Sequence, residues 1–67
     1  MKIILNNNPE EIPEENITVS ALLKLKNFTF KMLIVKLNGT LVKKTEYGTA
    51  TIHNGDDVMV LHLISGG

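Results

Sequence analysis

The sequence predicts an α+β domain: a mixed four- to five-stranded sheet with one helix packed on one face. Three observations predict it. Branched apolar runs stand near both ends, at Met1–Leu5 and Asp57–Ile64, and a third, Leu33–Leu37, lies between them. A single stretch, Val19–Lys26, repeats its apolar residues at helical spacing. Sixty-seven residues make one small domain, too short for a core and a deep cleft together.

Taken in order, Met1–Leu5 reads as a strand, and Asn6-Asn7-Asn8-Pro9 supplies turn chemistry. A weak second strand is expected near Glu10–Ile12. It belongs at an edge, because Pro13 has no N–H to give to a ladder. Thr18 is a good N-cap for the helix, which buries Val19, Leu22, Leu23 and the stem of Lys26 and ends near Asn27. After Leu33–Leu37, the dipeptide Asn38-Gly39 predicts a tight hairpin turn and Leu41-Val42 a return stretch. Lys43–Gly48 reads as a loop anchored by Tyr47, Thr49–Ile52 as a short strand, and His53–Asp56 as a turn into the last strand.

One helix covers one face of a sheet, so the other face must meet solvent or a partner. Alternation in the last strand puts Val58, Val60 and His62 on the inner side and Met59, Leu61 and Leu63 on the outer. Ile4 and Ile34 are out of phase with their inward neighbours in the same way. The expectation is an apolar outer face with Met59, Leu61, Leu63, Ile4 and Ile34 as docking residues, and Lys36 and Lys43 on its charged rim.

Composition excludes several function classes. With no cysteine there is no disulfide framework, thiolate metal site or cysteine nucleophile, and a reducing cytoplasm is the expected setting. The apolar start is too short for a signal segment or a membrane span. Formal charge is −3 over residues 1–18, +6 over 19–45 and −3 over 46–67. The central block lacks arginine, so a solvated face or a dock for an acidic protein is favoured over nucleic acid. His53 and His62 have no carboxylate pair at ligand spacing, so no metal site is expected. Without a Walker loop, any ATP used belongs to a partner.

The chain closes on Ser65-Gly66-Gly67, and two residues without side chains let a terminal carboxylate enter a narrow active site. Residues 1–64 are expected as the domain and 65–67 as a flexible tail.

Nearly the whole chain resembles the ThiS/MoaD family of sulfur carriers in the ubiquitin-like β-grasp group. The resemblance rests on Met1-Lys2-Ile3 before an Asn-rich turn, Thr18-Val19 with Leu22-Leu23, Asn38-Gly39, Glu46-Tyr47, Gly55-Asp56 and Gly66-Gly67. Tyr47 stands where the family often has Trp, and Ser65 where it often has another small residue. The resemblance implies a β-grasp carrier rather than an enzyme, with Gly67, preceded by Gly66, as the residue that is adenylated and then bears sulfur. It implies a ThiF-like adenylyltransferase and a ThiG-like thiazole synthase as partners. The ATP and Mg²⁺ are used by the activating enzyme, and no cofactor is bound by this chain. A monomer is expected when the chain is alone, with no nucleic acid or membrane as partner. A molybdopterin synthase small subunit, a ubiquitin-like modifier and a plain interaction domain stand as alternatives.

Overall fold

The computed structural model describes residues 1–28 and 33–62. Among these residues, seven strands and one α-helix follow in the order β1 (Lys2–Leu5), β2 (Asn8–Glu11), β3 (Asn16–Thr18), α1 (Val19–Leu25), β4 (Leu33–Leu37), β5 (Thr40–Val42), β6 (Thr51–His53) and β7 (Asp57–His62). The main sheet runs β2-β1-β7-β4-β5. Its β1·β7 pair is parallel and the others are antiparallel, which makes it the mixed sheet expected, at the five-stranded end of the range.

Alternation decides which side chains enter the core. Ile3, Leu5, Val35, Val42, Val58 and Val60 are buried on one face, where Val19, Leu22 and Leu23 of α1 meet them; Ile12, Ile17 and Ile52 complete the cluster. Burying each such side chain contributes about 1.5–3 kcal/mol, far more than any single surface contact in the molecule.

The short helix is held at both ends. Thr18 Oγ1 accepts from Ala21 N–H at 3.1 Å. At the other end Asn27 takes φ 59°, with Asn27 N–H donating to Lys24 O and Phe28 N–H to Leu23 O. This paired pattern closes the helix with Asn where Gly is more usual.

The structure corrects several expectations. β2 begins at Asn8 rather than Glu10, so Pro9 lies inside it; an edge strand tolerates this because one side of its backbone needs no partner. The strand expected at Thr49–Ile52 is Thr51–His53, and it pairs with Asn16–Thr18, a strand the sequence pattern did not announce, in a separate two-stranded sheet. Three residues are too few for a period to show. The expected loop contains a 3-10 turn at Lys44–Glu46, and Tyr47 is half-buried against the core. His62, expected on the inner side, is exposed. The boundary after Ile64 and the tail 65–67 lie outside the described residues.

Candidate functional site

Two asparagines at positive φ seat β7 between its neighbours. Asn6 and Asn38 both have φ 51°, a conformation asparagine tolerates better than most residues. Where β1 turns away, Asn6 N–H donates to Val58 O at 2.9 Å and Asn6 Oδ1 accepts from Val60 N–H at 2.7 Å. The side-chain carbonyl thus supplies the acceptor that the departing backbone no longer offers. On the other side, Asn38 N–H donates to Asp57 O at 2.7 Å, and Asn38 Oδ1 accepts from Asp57 N–H at 2.8 Å.

With β7 fixed centrally, the outer face follows from register. Ile34 stands opposite Leu61, Lys36 opposite Met59 and also opposite Leu41, and Ile4 beside Asp57. Ile4 is 38% exposed and Leu61 43%, while Ile34 and Met59 are half-buried and Lys36 is exposed. These five residues, expected from alternation, are brought together on the face away from α1. Lys36, Gly39, Asp57, Met59 and Leu61 line a shallow depression of about 330 Å³. Leu63, Gly66 and Gly67 lie outside the described residues. Lys43 is exposed just beyond β5, at the side of this face.

Two residues were missed by sequence reasoning. Leu41 is the most exposed large apolar side chain among the described residues, at 56%, and Asp57 lines the depression. The signal for Leu41 was present: a two-residue turn at Asn38-Gly39 forces it opposite Lys36.

No polar or charged side chain is buried among the described residues, and none of their His, Asp or Glu residues converge in threes. His53 Nδ1 lies 3.9 Å from Asp56 Oδ2, in an exposed turn where Asp56 Oδ2 also accepts from His53 N–H. That carboxylate is used to shape the turn.

The model of the ThiS family matches residues 3–67. The chain belongs to the ThiS family. The crystal structure of a thiamine biosynthesis protein (ThiS) from Geobacter metallireducens is similar over 100% of both chains, with 29% identity and a TM-score of 0.87. A solution structure of a thiamine biosynthesis protein from the same organism matches all of this chain and 88% of its own, at 29% identity and TM-score 0.79. No curated protein matches. The ThiS family assignment and the five-stranded sheet with one helix agree on a small, carrier-type β-grasp protein. No helix among the described residues is long and apolar enough to cross a membrane.

Proposed function

We propose that this ThiS family member is a sulfur carrier acting in the cytoplasm, with the Gly67 carboxylate as its working group. The observation that carries the reading is the family match, which runs from residue 3 through Gly67. A carboxylate ionised at neutral pH is a poor electrophile. Attack of its oxygen on the α-phosphate of ATP, with loss of pyrophosphate, gives an acyl-adenylate. Sulfide then attacks the carbonyl carbon, AMP leaves, and a thiocarboxylate remains.

The chemistry belongs to partner enzymes: a ThiF-like adenylyltransferase that binds ATP and Mg²⁺ activates the carboxylate, and a ThiG-like thiazole synthase later accepts the sulfur from the thiocarboxylate. The chain itself, a monomer when alone, holds no cofactor. It supplies the tail and a surface to grip. Ile4, Ile34, Met59, Leu61 and Leu63 are proposed as the docking face and Lys36 as its charged rim, because an apolar patch gains from burial and a rim charge sets orientation. Gly66 and Gly67 are proposed to thread the enzyme's channel, which any Cβ would narrow.

The test is intact mass after incubation with ATP, sulfide and the cognate activating enzyme. A gain equal to exchanging one oxygen for sulfur is expected, and Gly67→Ala is expected to lose it while folding normally. Unchanged thiocarboxylate formation by that variant, or recovery of Gly67 in isopeptide linkage to lysine, would overturn the reading. Sulfur delivery to thiazole synthase rather than to molybdopterin synthase then assigns the pathway.

A further inference from the structure

The two edges of the main sheet are not alike. In β2, the two-residue turn at Asn6-Asn7 makes Leu5 and Asn8 a hydrogen-bonded pair, so the next residue, Pro9, directs its backbone away from the sheet. Ile12 N–H donating to Met1 O agrees with this phase. The first outward position of β2 therefore has no N–H to offer, and the second, Glu11, carries an exposed carboxylate, with exposed Glu14 and Glu15 following in the chain. Such an edge resists strand addition.

β5 is built the other way. The turn at Asn38-Gly39 makes Leu37 and Thr40 the hydrogen-bonded pair, and Leu41 opposite Lys36 directs its N–H and C=O outward. Asn38 N–H donating to Asp57 O confirms that the Lys36 backbone faces β7 instead. The next outward N–H, that of Lys43, is taken by Glu46 Oε1 at 3.0 Å. That leaves Leu41. Beside it a depression of about 260 Å³ opens between β5 and the Glu46–Ala50 segment, lined by Leu37, Leu41, Val42 and Ala50 with Glu46 and two threonines. Lys36, Lys43 and Lys44 are exposed on or beside this edge, with Glu46 in the depression and Asp57 on the Lys36 side as the neighbouring carboxylates.

We propose that the β5 edge is an interaction surface for an extended acidic segment of a partner protein, added to the sheet as a further strand. Leu41 supplies one N–H and one C=O, the depression takes one apolar side chain, and the lysines select the acidic flanks. A second copy of this chain is a poor occupant. Its β2 edge presents an N–H only at Glu11, next to a proline that has none, and its own β5 would bring like charges together. The proposal does not rest on the sulfur-carrying role.

The test uses the full ¹⁵N-labelled chain and the peptide acetyl-Asp-Glu-Val-Ile-Val-Glu-Asp-amide, with a lysine-for-acid version as control. Saturable binding is expected, with the Leu41 amide shifted downfield and slowed in hydrogen exchange. The Lys43→Glu/Lys44→Glu pair is expected to weaken binding by about tenfold or more at low salt. Leu41→Pro is expected to abolish it while leaving the β4·β5 pairing intact, since the lost N–H faces outward. Equal binding of the basic peptide, shifts centred on Ile4 and Leu61, or no saturation at millimolar peptide would each overturn the proposal.

Discussion

Asn6 does two things at once: it accepts positive φ in a tight turn and presents a side-chain carbonyl to Val60 N–H. Asn6→Ala removes both, leaving a half-buried donor without its partner, and the expected cost is about 1–3 kcal/mol in urea unfolding. Asn6→Asp keeps an acceptor and tolerates the backbone angle, so it should recover most of that loss; if Asp and Ala variants unfold at the same urea concentration, the Val60 contact is not the cause. The Lys26–Glu10 ion pair, at 2.7 Å with both side chains 31% exposed, is a weaker contributor. Solvent screens it, and Glu10→Gln is expected to cost only about 0–1 kcal/mol by the same measurement.

At the scale of elements, α1 has seven residues, too few to persist outside the fold. Its stability comes from Val19, Leu22 and Leu23 in the core and from its two caps. Thr18→Ala should therefore cost about 1 kcal/mol. Leu22→Ala, at a fully buried position, should cost about 2–5 kcal/mol. A domain this small holds only a few kcal/mol in total, so the second variant should be substantially unfolded by far-UV circular dichroism at 37 °C while the first stays folded. A folded, cooperative Leu22→Ala chain would mean that the sheet carries more of the stability than this core assigns to it.

The whole molecule divides its two sheet faces between stability and contact. The inner face is apolar because α1 covers it; the outer face is apolar without a covering element among the described residues, with Ile4 and Leu61 open to solvent. Leu61→Asp should leave the unfolding midpoint within about 0.5 kcal/mol, as for an exposed site, yet remove detectable binding to the activating enzyme in calorimetry. Retained binding would move the dock elsewhere.

Much of this was legible in the chain. The helix and its Thr18 cap, the Asn38-Gly39 hairpin, and the opposed phases of Val58/Val60 and Met59/Leu61 all depend on neighbours within a few residues, so sequence determined them. The Gly66-Gly67 ending and the ordered motifs likewise pointed to the family before any fold was in view. Other features were decided only in three dimensions. The pairing of Asn16–Thr18 with Thr51–His53 joins strands of three residues separated by more than thirty in sequence, and no local period can announce a partner at that distance. His62 belongs by alternation with Val58 and Val60 yet is exposed, because burial depends on what covers a position as well as on its phase. The contrast between the Pro9 and Leu41 edges was likewise invisible until strand order placed β2 and β5 at the margins, since whether a backbone N–H is spare depends on which strand, if any, lies beside it.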